Sequence, residues 1–150
     1  MILASAAEFK AAEGRDEYVS EWLEIDQSRI NQFADATNDH QWIHVDVERA
    51  KKESPFGGPI AHGFLTLALI PMWLEQCVPM HQKMGVNYGM NKVRFMAPVP
   101  VGAKLRAKFV VGTVTDVEAG GVQVMWRVTL EKEGSDKPVC IAEFITRHYF

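Results

Sequence analysis

The segment from about Ile60 to Val78 is apolar on nearly every side, so whatever fold it enters must surround it with other elements. Its most apolar stretch, Ile60 to Leu74, is shorter than the roughly 20 residues a membrane span needs, and it contains His62, Gly63 and Pro71. It therefore reads as a buried helix. After Pro79 the periodicity changes from helical to two. Val86, Tyr88 and Met90 alternate with other residues, and Val93 and Phe95 continue in the opposite phase, which predicts a bulge near Asn91 eased by Gly89. Ala103, Leu105, Ala107, Phe109 and Val111 hold strict alternation against Lys104, Arg106 and Lys108, a strand with one wet face. Val122, Val124, Trp126, Val128 and Leu130 repeat it, and a last strand runs from about Val139 to Tyr149. Pro98, Pro100, Gly102, Gly120, Gly121 and Gly134 punctuate the connections. One apolar helix followed by four long strands with hairpin-length links predicts an α+β fold, in which an antiparallel sheet curls round that helix.

Ahead of the helix, Glu17 to Ile25 alternates as a first strand bearing Tyr18, Trp22 and Leu23. Asp26 is placed to cap a helix whose Ile30, Phe33, Ala34 and Thr37 form one apolar face ending near Asn38. A polar segment, Asn38 to Asp46, comes next. Asp46 then caps a short charged helix through Glu53, and Ser54 to Pro59 is a loop. No repeat or low-complexity tract appears, and 150 residues suit a single domain spanning 1–150.

Charge and cysteine content narrow the function. Nineteen acidic against sixteen basic residues give a net charge of −3, the wrong sign for a chain that grips nucleic acid. Met1 to Ala7 is apolar but has no basic leader, so no export signal is expected. Cys77 and Cys140 match neither zinc nor redox spacing and read as small core residues, which fits a reducing cytoplasm. There is no G-x-S-x-G elbow, G-x-G-x-x-G fingerprint or P-loop, and Gly57-Gly58 is a turn.

The densest group of titratable side chains is Asp39-His40-Gln41-Trp42-Ile43-His44-Val45-Asp46, between two predicted helices. Asp39 and His44 can converge if the segment bends. A carboxylate and an imidazole, with ordinary pKa values near about 3.9 and about 6.5, would then share the proton of one bound water. The alternative is that Asp39 only caps a helix and His44 is a hydrogen-bonded loop residue. His40 and His44, with Asp46, have a spacing that zinc can use, but the glutamate of a metalloprotease motif is missing, and no metal is assigned. At the start of the apolar helix, Pro59-Ile60-Ala61-His62-Gly63 presents free amides and a glycine that a ligand can approach closely. The Gly63 N–H is suited to an enolate-like thioester oxygen, or the glycine serves only tight packing. His62 could cap the helix, line the site or pack.

The run Phe33-Ala-Asp-Ala-Thr-Asn-Asp39-His-Gln-Trp-Ile-His44-Val-Asp46, followed by Pro59-Ile-Ala-His-Gly63, resembles the MaoC-like hydratase family, or hydratase 2. Asn87 to Gly102 looks like its NodN-like branch, and the likeness extends from about Asp26 onward. The resemblance implies a hot-dog fold and reversible hydration of trans-2-enoyl-CoA to (R)-3-hydroxyacyl-CoA, with no cofactor. It places the catalytic aspartate at Asp39, the histidine at His44 and the oxyanion-hole glycine at Gly63, and it implies a homodimer with pockets near the interface. Two departures matter. Gln41-Trp42 stands where the family commonly has Asn-Pro, so a substrate contact falls to Gln41 or is absent, and Pro71 lies near the place of a serine seen in short-chain members. His62 is a further substrate-binding candidate, and Lys51, Lys52, Lys92 and Arg94 are candidates for the CoA phosphates. A hot-dog thioesterase would instead release free CoA, and a non-catalytic acyl-binding module would bind without turnover.

Overall fold

In the computed structural model, which describes residues 1–150, the chain forms six helices and six strands. In order they are α1 (Ala6–Ala11), β1 (Glu17–Val19), β2 (Leu23–Glu24), α2 (Gln27–Thr37), α3 (Trp42–Val45), α4 (Val47–Glu53), α5 (Gly63–Ala68), α6 (Ile70–Cys77), β3 (Met84–Phe95), β4 (Lys104–Asp116), β5 (Val122–Lys132) and β6 (Cys140–Tyr149). A short 3₁₀ turn, Glu118–Gly120, joins β4 to β5.

All six strands belong to one antiparallel sheet in the order β1-β4-β5-β6-β3, with β2 also paired to β4. The period-two residues define its inner face: Leu105, Ala107, Phe109 and Val111 of β4 lie beside Val124, Trp126, Val128 and Leu130 of β5, all buried. On the outer face Arg106 and Lys108 both reach Glu131, at 2.7 and 3.1 Å, as the alternation predicts. The register of β3 against β6 slips between Met90 and Val93, around the expected bulge, and again between Asn87 and Gly89. The first strand is interrupted. β1 and β2 are two short pieces paired to β4, split where the Ser20 hydroxyl accepts from the Ala107 amide at 2.9 Å.

The central helix differs from the expectation in two respects. It begins at Gly63, and it breaks at Leu69 into α5 and α6. Pro71 accounts for the break, since it has no N–H to offer the Leu67 carbonyl one turn back. The helix is also not surrounded. Leu65, Leu69, Ile70, Trp73 and Leu74 face the sheet, whereas Phe64 is 69% exposed and Met72 41% exposed on the opposite side. Its free face carries Phe64, Ala68 and Met72 before it turns polar at Glu75 and Gln76.

The second layer that covers the sheet is α1, which the sequence reading left without structure. Ser5 caps it by accepting from the Glu8 amide, and Phe9 drives into the core. Phe9 meets Trp126 edge-on at 6.2 Å and stacks on His148 at 4.7 Å. Trp126 is fully buried, and the sheet's exposed apolar side chains include Met84, Val86, Tyr88 and Phe95 of the edge strand β3. Cys77 and Cys140 are free thiols, and burial pushes each up to about 11, in keeping with packing roles. No helix is long and apolar enough to cross a membrane.

Candidate active site

Asp26 starts α2 by accepting from the Arg29 amide at 2.8 Å, and Asn38 ends it in the left-handed region at φ 58°. This turn, favourable for asparagine, redirects the chain so that Asp39 stands beyond the helix. Asp39 does not cap a helix N-terminus. Its carboxylate accepts only a long bond from the Gln41 amide, 3.4 Å. The next four residues, Trp42–Val45, form a single helical turn, α3, where an irregular segment was expected. That turn carries His44 inward. Asp46 caps α4 as predicted, accepting from the Arg49 amide at 3.1 Å.

Hydrogen bonds to its ring, its main chain and its neighbour Ile43 fix His44. Its Nδ1–H donates to the Ile60 carbonyl at 2.6 Å, and the Ile60 amide donates back to the Ile43 carbonyl at 3.0 Å. Gln27 Nε2 donates to the main-chain oxygen of His44 at 2.8 Å, tying α2 to α3. With Nδ1 occupied as a donor, the neutral ring keeps its lone pair on Nε2. Burial lowers the pKa of His44 below its ordinary 6.5; the Ile60 bond opposes this, His62 adds to it and Asp39 opposes it. The ring is therefore neutral and basic at pH 7.

His62 lies against His44 with ring centroids 3.9 Å apart. Asp39, His44 and His62 each offer a ligand atom within 4.8 Å of the others, a set that could hold a metal. The set considered from spacing, His40 with His44 and Asp46, does not assemble. His40 turns to solvent and pairs with Asp35 at 2.9 Å, and Asp46 is committed to its cap.

Gly63 opens α5, and its amide has no acceptor within the protein. A Cβ there would meet the Phe95 ring at 3.0 Å, so the glycine leaves room for that ring. Both residues line a mostly apolar cavity of about 440 Å³ with Phe56, Phe64, Met96 and Val99. Neither Asp39 nor His44 lines this cavity in the single chain; Ile60, whose carbonyl accepts from His44, and Gly63, next to His62, both do. Gln41 is exposed and its side chain makes no hydrogen bond. Lys51, Lys52, Lys92 and Arg94 are exposed; Lys51 approaches Glu48 at 3.9 Å, and Arg94 donates to its neighbour's carbonyl at 2.7 Å. Gln27, the Ile60 carbonyl and Phe95 were missed as site groups. Only the first has a side-chain signal in the sequence, a polar residue at the start of the amphipathic helix.

A sheet folded over a broken helix, with a buried imidazole beside a carboxylate and a free helix-start amide, defines a small-molecule site on a hot-dog fold. The chain belongs to the MaoC-like family: the family described as "MaoC like domain" matches residues 8–133. It is 51% identical over 145 residues to 3-hydroxyacyl-thioester dehydratase Z of Mycobacterium tuberculosis, covering 96% of this chain and 95% of that protein. It is 44% identical over 143 residues to Nodulation protein N of Rhizobium meliloti, covering 94% and 89%. Among solved structures it is similar to the (R)-hydratase from A. caviae involved in PHA biosynthesis. There the TM-score is 0.73 at 21% identity, over 87% of this chain and 92% of that one, a likeness of fold.

Proposed function

We propose that this chain is a hydro-lyase that reversibly adds water to trans-2-enoyl-CoA, giving the (R)-3-hydroxyacyl thioester. The observation that carries this reading is the pairing of Asp39 with His44, whose neutral ring is held by the Ile60 carbonyl, in a chain half identical to a 3-hydroxyacyl-thioester dehydratase. Asp39 and His44 orient a water and take its proton as the oxygen attacks C3, and a proton is delivered to C2. Electron density moves onto the thioester oxygen, where the free Gly63 N–H receives it. The water's elements are added across the double bond, so no oxidant is needed, and we assign no metal or other cofactor.

The active species is proposed to be a homodimer. Exposed Phe64 and Met72 on the central helix and the exposed apolar residues of the edge strand β3 support this assembly, because open strand edges and large apolar patches are sites of association. The acyl cavity contains Phe64 and Phe95 from those two surfaces and so lies beside the interface. Incubation with crotonyl-CoA, following loss of the conjugated thioester absorbance, tests the reaction. Release of free thiol without hydration would make the protein a thioesterase, and chiral analysis giving the S product would overturn the assigned stereochemistry.

A further inference from the structure

His62 is 3% exposed and makes one hydrogen bond, from Nε2–H to the main-chain oxygen of Asp39 at 3.0 Å. No other hydrogen bond reaches the Asp39 main chain. The ring stacks on His44 at 3.9 Å with an interplanar angle of 24°, and Phe33 of α2 supports it at 5.0 Å. Its Nδ1 is buried without a partner. The segments 39–44 and 60–62 thus each give an imidazole to a carbonyl of the other, His44 to Ile60 and His62 to Asp39.

We propose that His62 is a positioning residue for the acid/base pair, joining the Asp39 main chain and the His44 ring into one rigid unit. This rests on the hydratase reading of Asp39 and His44. A carbonyl only accepts, so the bond to Asp39 fixes the proton of neutral His62 on Nε2 and leaves Nδ1 as a bare lone pair. Burial lowers the His44 pKa and the adjacent His62 adds to this, against the Ile60 bond and the Asp39 carboxylate. Asp35 and His40 pair with each other at the surface, 2.9 Å apart.

Two variants separate the parts. His62→Phe keeps a flat ring for stacking and loses the bond to Asp39; His62→Asn keeps an N–H donor and loses the stack. Turnover of crotonyl-CoA across pH and the titration of His44 by nitrogen-15 NMR are measured on the full chain. In His62→Phe, kcat is expected to fall about 10- to 100-fold, the scale of a misplaced catalytic group, with KM nearly unchanged. The His44 midpoint should move upward, because one source of repulsion has gone. His62→Asn should recover part of kcat. A folded His62→Phe protein with parental kcat and parental His44 titration would reduce His62 to packing. Should that variant fail to fold, His62→Asn alone decides, by whether the His44 midpoint moves. If the parent protein does not hydrate crotonyl-CoA, the hydratase reading fails, while the NMR titration still reports whether His62 controls His44.

Discussion

Nδ1 of His44 lies 2.6 Å from the carbonyl oxygen of Ile60, sixteen residues further along the chain. This contact sets the tautomer of the ring and so decides which nitrogen can take a proton. Asp39→Asn and His44→Gln should each lose about 100- to 10,000-fold in hydration while leaving the melting temperature close to that of the parent. Near-parental turnover in either folded variant would remove the pair. The acid limb of kcat/KM should lie below pH 6.5, because the base is lost only as pH falls through the lowered His44 value.

Gly63 and Phe95 should prove coupled. Gly63→Ala brings a methyl group to 3.0 Å from the Phe95 ring, which lines the same cavity and must give way. Activity is expected to fall, and Phe95→Ala in the same chain to restore part of it. Strictly additive effects of the two substitutions on kcat/KM would show that the ring is not the obstacle.

A pH dependence of stability follows from His148. Trp126 Nε1–H donates to Thr146 Oγ1 at 2.8 Å, Thr146 and His148 Nε2 are 2.6 Å apart, and Nδ1–H of His148 donates to Gln82 Oε1. Burial lowers its pKa from 6.5 to about 4, so the unfolded chain binds this proton at higher pH than the folded one. Stability from this group is complete above pH 6.5 and is lost as pH falls toward 4, by about 3 kcal/mol in all. Urea denaturation at several pH values should show a steeper acid loss for the parent than for His148→Gln. Parallel curves would contradict the assignment.

Light scattering at micromolar concentration should report about twice the chain mass. Phe64→Glu, which puts a charge on the free face of α5, is expected to shift the protein toward monomer. An active parental monomer would overturn both the assembly and the placement of the pocket beside it.

Activity should survive exhaustive chelation. Loss of turnover, restored by zinc, would instead assign Asp39, His44 and His62 as metal ligands.

The parts of this fold legible in the sequence are those where one periodicity runs uninterrupted. β4, β5 and β6 follow it because their alternate residues, from Leu105 to Thr146, all meet one inner face. α1 escaped notice because in six residues it buries only Phe9, too few for a period, and α3 because it is one turn. The break at Leu69 was also missed, since unbroken apolarity across Pro71 hides a gap in backbone bonding. At the site, Asp39, His44 and Gly63 were visible as residue types in a suggestive order. Their juxtaposition depends on the Ile60 and Asp39 carbonyls, and main-chain oxygens leave no mark in a sequence.

The gap at Pro71 divides the labour of the central helix. Trp73 and Leu74 anchor α6 in the core as Leu65 anchors α5, but only α5 places residues, among them Gly63 and Phe64, on the acyl cavity. Because Pro71 has no amide hydrogen, the bond it would make across the junction is missing, so α5 can open as a smaller cooperative unit than α6. Amide exchange along 63–68 should outpace that along 72–77 and should slow when a thioester is bound.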